Sequence, residues 1–156
     1  MRGIPYTKQL QRIANKYREA GNEWPATAKM IARWAIDQRL WQPQPDALLT
    51  KCADELARAM SEEYYKDPQG REVRTKLSAC IEQTHFWDDI RTADRQFMAL
   101  SVQQSRKQIV GDCWQLKKEV DSYNENRRPN KPIQLILDFR ADIAELEAMS
   151  EQRPAA

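Results

Sequence analysis

Between Asp67 and Ile81 the hydrophobic period of the chain changes, and that change limits the folds open to it. Upstream, apolar residues recur every three or four positions, as one face of a helix requires. Asp67-Pro68-Gln69-Gly70 is a turn by composition. After it, Val73, Thr75, Leu77, Ala79 and Ile81 alternate with Glu72, Arg74, Lys76, Ser78 and Cys80. Period two predicts a strand with one buried and one wet face. Glu82-Gln83 makes a tight connection, and His85-Phe86-Trp87-Asp88-Asp89-Ile90 the returning strand.

Three helices are expected before this hairpin. The first runs from about Thr7 to Ala20 and stops at Gly21, with Leu10, Ile13, Ala14 and Tyr17 on its inner face. Lys8, Arg12 and Lys16 form a separate stripe at four-residue spacing, which does nothing for the helix itself because like charges repel. Thr27 caps a second helix over about 28–40, with Ile31, Trp34 and Ala35 inward and Arg33 outward. Pro43 and Pro45 bracket a break. A third helix then runs from about Asp46 to Tyr65, with Leu49, Cys52, Ala53, Leu56 and Met60 as its apolar stripe.

After the hairpin the helical period returns over 94–126. Met98, Val102, Ile109, Cys113, Leu116 and Val120, extended by Tyr123, approximate a heptad seam. One helix of that length measures roughly 50 Å at about 1.5 Å per residue. That exceeds what a small domain needs, so the seam predicts packing against a second copy. Gly111 leaves open two shorter helices packed within one chain. A polar loop over 124–132 precedes alternating Ile133, Leu135, Leu137 and Phe139, which predict one more strand. Asp138 is placed to cap a last short helix, with Ile143, Leu146 and Met149 inward. The expected fold is mainly α, of the α+β class. Residues 1–91 form a first domain and 92–156 a helical extension that dimerises.

The chain has 156 residues, 41 % of them hydrophobic and 31 % charged, enough apolar material to exclude wholesale disorder. A net charge of +2 says little about partners, but its distribution says more. Residues 1–60 carry ten Lys or Arg against six Asp or Glu, and residues 132–156 two against five. A basic front suits an anionic partner. The three cysteines are far apart and form no CxxC, so they read as small core residues in a reducing compartment rather than as zinc ligands or disulfides. The opening Met-Arg-Gly-Ile-Pro-Tyr lacks the apolar stretch of a signal peptide, and no apolar run is long enough to cross a membrane. The expected location is the cytoplasm.

Three helices followed by a hairpin, with the phrase Pro25-Ala26-Thr27-Ala28-Lys29-Met30-Ile31-Ala32-Arg33-Trp34-Ala35, resemble a winged helix-turn-helix domain over about residues 5–91. Asp67-Pro68-Gln69-Gly70-Arg71 and Asp121-Ser122-Tyr123-Asn124-Glu125-Asn126 are also similar to phrases of an uncharacterised group of bacterial proteins. The winged-helix resemblance implies double-stranded DNA as partner. Lys51, Glu55 and Arg58 would lie on the exposed face of the groove-reading third helix, and Arg74 and Lys76 would be the wing's phosphate contacts. With the first-helix stripe and Arg33, the nucleic-acid set is Lys8, Arg12, Lys16, Arg33, Lys51, Arg58, Arg74 and Lys76, as in a regulator or a mobile-element accessory factor. Asp54, Glu55, Glu62 and Glu63 stand beside the third helix's few cations, where phosphates would be repelled. The leading expectation is a DNA-binding protein, and that balance supports the alternative, a non-enzymatic protein-interaction or scaffold module built on the long helix at 94–126.

Enzymatic signals are missing from the sequence. Four scattered glycines form neither a P-loop nor GxGxxG. Adjacent Asp88 and Asp89 point to opposite faces of a strand and cannot jointly hold a metal, and His85 has no nucleophile motif nearby. The expectation is a non-enzymatic chain with no catalytic or metal residues, no cofactor and no small-molecule ligand.

Overall fold

The computed structural model describes residues 3–152. Its fold is α+β, and it divides into two compact units, 1–58 and 59–156. The boundary expected near residue 91 therefore lies inside the second unit, because the second hairpin packs with the helix that follows it.

The first unit holds α1 (Tyr6–Glu19), α2 (Ala28–Asp37) and most of α3 (Ala47–Ser61). α1 and α2 pack together around Tyr17, which is 4 % exposed, and Ala35. The Tyr17 ring meets Trp34, on α2, edge-on at 5.6 Å and Trp24, which precedes α2, at 6.5 Å. Gly21 follows α1 with φ +79°, a left-handed conformation that suits a helix stop. Thr27 caps α2 as expected, its hydroxyl accepting from the Met30 N–H at 3.2 Å. The Trp41 indole N–H donates to the Tyr6 hydroxyl at 2.8 Å, tying the start of the unit to the far side of α2.

α3 departs from expectation. Leu49, Cys52, Ala53 and Leu56 are exposed, and no helix of the first unit packs closely against them. An amphipathic stripe records only that a helix has an apolar side; it does not say what lies against it. α3 also ends at Ser61, because Tyr64–Lys66 turns into a strand, β1. Cys52 is exposed and Cys80 and Cys113 are half-buried, so none of the three thiols is a buried core residue.

The second unit has two hairpins where one was expected. β1 pairs with β2 (Glu72–Arg74) across the Asp67–Gly70 turn. The Asp67 carboxylate accepts from the Gln69 and Arg71 N–H groups at 3.0 and 2.8 Å. β3 (Lys76–Ile81) pairs antiparallel with β4 (Thr84–Asp89). The single strand expected over 73–81 is thus two strands broken at buried Thr75. Its N–H goes to the Glu63 carbonyl at 2.9 Å and its carbonyl accepts from the Ile90 N–H at 2.9 Å. One residue serves both hairpins.

The β3–β4 connection is Glu82-Gln83, both left-handed with φ 49° and 65°. Two positive φ values define the primed turn that fits a twisted hairpin, and side chains with a Cβ adopt them at a cost. Replacing Glu82 by Asn and Gln83 by Gly is expected to stabilise this unit by about 1–2 kcal/mol, read from urea unfolding. An unchanged or lower midpoint would contradict the turn geometry.

α4 (Arg95–Arg127) is one continuous helix through Gly111, which settles the one-or-two alternative. Asp94 caps it, accepting from the Phe97 N–H at 2.7 Å. Two expectations fail beyond it. Residues 133–139 form no strand, since alternation needs a sheet edge to pair with. α5 (Arg140–Glu151) does form, after Asp138 accepts from the Arg140 N–H at 3.2 Å, but Ile143, Leu146 and Met149 point to solvent rather than inward.

Candidate interaction surface

The strand register explains how α4 is seated. A two-residue turn makes Ile81 and Thr84 a hydrogen-bonded pair, so the pairs Cys80–His85 and Ser78–Trp87 are not bonded to each other. The backbone groups of Ser78 and Cys80 therefore point to the outer edge of β3. α4 covers that edge. The Gln104 amide oxygen accepts from the Cys80 N–H at 2.7 Å, and its NH2 donates to the Cys80 carbonyl at 2.8 Å. The Ser101 hydroxyl, itself buried, donates to the Ser78 carbonyl at 2.7 Å. An edge that would invite another strand is thus closed by side chains.

Ser101 and Gln104 fix which way every other residue of α4 faces. At 3.6 residues per turn, Ile109 and Leu116 lie roughly a quarter turn around the helix from this docked face. Of the seam residues, Met98, Cys113 and Val120 are half-buried. Val102, Ile109 and Leu116 are exposed, Ile109 by 59 % and Leu116 by 45 %. Val102, Ile109 and Leu116 therefore leave part of the seam as an exposed apolar side. Val110 and Trp114 form a third side, about a third of a turn further round, with Trp114 64 % exposed and the Lys118 ammonium 4.1 Å from its ring centroid. The heptad pattern misses this pair because it falls outside positions a and d; its only signal is four-residue spacing. Pairs four residues apart run along the polar surface, Gln108 with Asp112 at 2.9 Å and Gln115 with Glu119 at 3.0 Å, and Lys117 with Asp121.

At the end of α4 the Asn124 side chain grips the Ile133 backbone twice, accepting from its N–H at 3.0 Å and donating to its carbonyl at 2.9 Å. This pins the start of the arm that carries α5. From there Ile136 (75 % exposed), Leu137 and Phe139 present apolar side chains to solvent.

The nucleic-acid set is split between the two units. Lys8, Arg12 and Lys16 lie exposed along α1, Arg33 on α2, and Lys51 and Arg58 on α3 beside Asp54 and Glu55. Arg74, on β2, donates to the Tyr64 hydroxyl at 3.3 Å, and Lys76, on β3, pairs with Glu63. The two expected wing cations thus sit in different hairpins and both have partners in the chain. At the base of the second hairpin the Arg91 side chain, with the Arg91 N–H, holds the Asp89 carboxyl down at about 2. The same guanidinium lies over the Tyr65 ring at 5.1 Å. No group of His, Cys, Asp and Glu able to hold a metal occurs among the described residues, and no helix is long and apolar enough to cross a membrane. Comparison with protein-family models, with curated proteins and with solved structures finds no match to this chain.

Proposed function

We propose that this chain is a non-enzymatic interaction module that associates with a second copy of itself along α4. The observation that carries the reading is the exposed Ile109–Leu116 seam, turned away from the hairpin edge to which Ser101 and Gln104 fix the helix. Large apolar side chains on a charged helix are stabilised by a matching helix. Light scattering at two concentrations tests it. The mass of two chains, falling towards one on dilution, is the expected result; a single-chain mass throughout sinks the reading.

A second reading, contact with double-stranded DNA, is favoured by one feature. Lys8, Arg12 and Lys16 have neither an ion pair nor a side-chain hydrogen bond among the described residues. The winged-helix comparison rests on element order, three helices and then antiparallel hairpins, and such a chain could serve as a regulator or a mobile-element accessory factor in the cytoplasm. Against phosphates the α1 stripe would act by releasing counterions. Fluorescence anisotropy of random duplex DNA across a salt series is expected to show affinity falling with salt. Lys8→Glu/Arg12→Glu/Lys16→Glu should lower the log–log slope by about three. Affinity indifferent to salt or to these changes would remove DNA from consideration.

A further inference from the structure

α5 has twelve residues and packs closely against no other helix or strand among the described residues. A helix of that length is marginal alone in water, and helices in proteins draw most of their stability from burying an apolar face. Phe139, Ile143 and Leu146 fall on one side of it, with Met149 at the margin, and all four are exposed. Asp142 and Glu147 border that stripe on either side. The segment 140–151 holds one cation, Arg140, against Asp142, Glu145, Glu147 and Glu151.

The complementary surface is on α4. Val110 and Trp114 form an exposed apolar side, with Lys107 and Lys118 along one border, while Lys117 on the other border is already paired with Asp121. An apolar stripe edged by carboxylates thus matches one edged by the Lys107 and Lys118 ammonium groups. We propose that α5 of one copy lies along the Val110–Trp114 side of α4 in a second copy, and that the exchange is mutual. This rests on the self-association reading above and completes it. Each α4 then meets the other at the Ile109–Leu116 seam and receives the partner's α5 on its third side, making a four-helix assembly.

Area and reach agree. Ile109, Val110, Trp114, Leu116, Phe139, Ile143, Leu146 and Met149 are between 41 % and 65 % exposed. They offer on the order of 800 Å² per copy, about what a standard stable interface buries on each partner. Residues 134–139, which follow the Asn124 grip, span roughly 20 Å when extended, against interaxial distances of about 8–10 Å between packed helices. In the assembly Lys118 exchanges its place over the Trp114 ring for a carboxylate of the incoming helix.

Two charge reversals on exposed residues test the exchange in the full chain. Asp142→Lys/Glu147→Lys reverses α5, and Lys107→Glu/Lys118→Glu reverses the receiving side. Each variant alone is expected to associate at least about tenfold more weakly than the parent chain, with an unchanged circular dichroism spectrum. Mixed together they should recover parental affinity as a heterodimer, because every α5 then meets an α4 of opposite charge. Sedimentation velocity with one variant labelled reads this directly. Recovery only when all four changes are in one chain places α5 on its own α4 and overturns the proposal. Association unaffected by either reversal also overturns it, while the α4 seam stands. A parent chain that is monomeric at every concentration removes the seam first, and α5 exchange with it.

Discussion

Ile109→Asp/Leu116→Asp is expected to turn a self-associating chain into a monomer that keeps the parent's circular dichroism and the unfolding midpoint of the parent diluted to single chains. Both residues lie on the seam side of α4 and are about half exposed in the single chain, so changing them removes little from the monomer. Exposed substitutions away from packed features usually stay within about 0.5 kcal/mol. In a dimer the same side chains are covered. A buried Leu or Ile contributes about 1.5–3 kcal/mol, and a symmetric interface contains two of each. Placing aspartates there adds unpaired buried charge. Association should therefore weaken by on the order of a thousandfold or more, enough to abolish dimer at micromolar concentration. Light scattering and urea unfolding of the same preparation separate the two possibilities. A lost dimer whose unfolding matches that of the parent diluted to single chains supports the seam. A collapse in stability would mean that Ile109 and Leu116 serve the monomer's own core.

Local pattern was legible in this sequence; partners were not. Thr27 announced its helix because a cap needs only the backbone three residues on, whereas Asp94 caps α4 in the same way without having been singled out. The β3–β4 hairpin followed from alternation, although its turn lacks glycine. The register fixes the Cys80 backbone as outward-facing, but nothing about a glutamine in the middle of a helix says that it will meet that backbone. Thr75 looked like one more residue of an alternating run, and only the pairing of Tyr64–Lys66 with Glu72–Arg74 shows that the strand changes partner there. The failed expectations share a cause. Residues 133–139, the α3 stripe and the inward face of α5 were each inferred from amphipathicity, which guarantees an apolar side and leaves its neighbour unspecified. The site was half legible in the same way: the heptad found Ile109 and Leu116, whereas Val110 and Trp114 needed the docked face of α4 as a reference.

That reference depends on Gln104, and Gln104→Leu should show how much. The leucine keeps the volume and helix propensity of the site but leaves the Cys80 N–H and carbonyl on β3's outer edge without partners. An unsatisfied buried donor or acceptor costs about 1–3 kcal/mol, and these two are part-buried. A loss of about 2–4 kcal/mol in urea unfolding is therefore expected, with much faster hydrogen exchange at the Cys80 amide. Gln104→Glu keeps an acceptor for the N–H but sets a carboxylate against the carbonyl, so it should fall between the two. Ser101→Ala, which removes a single bond to the Ser78 carbonyl, should cost about 1 kcal/mol. Freed from the edge, α4 would no longer hold its seam at a fixed angle to the hairpin. Self-association should then weaken along with stability, although Gln104 does not belong to the seam. If Gln104→Leu changes stability by less than about 0.5 kcal/mol, hydrophobic packing alone seats α4, and the orientation argued from these hydrogen bonds is wrong.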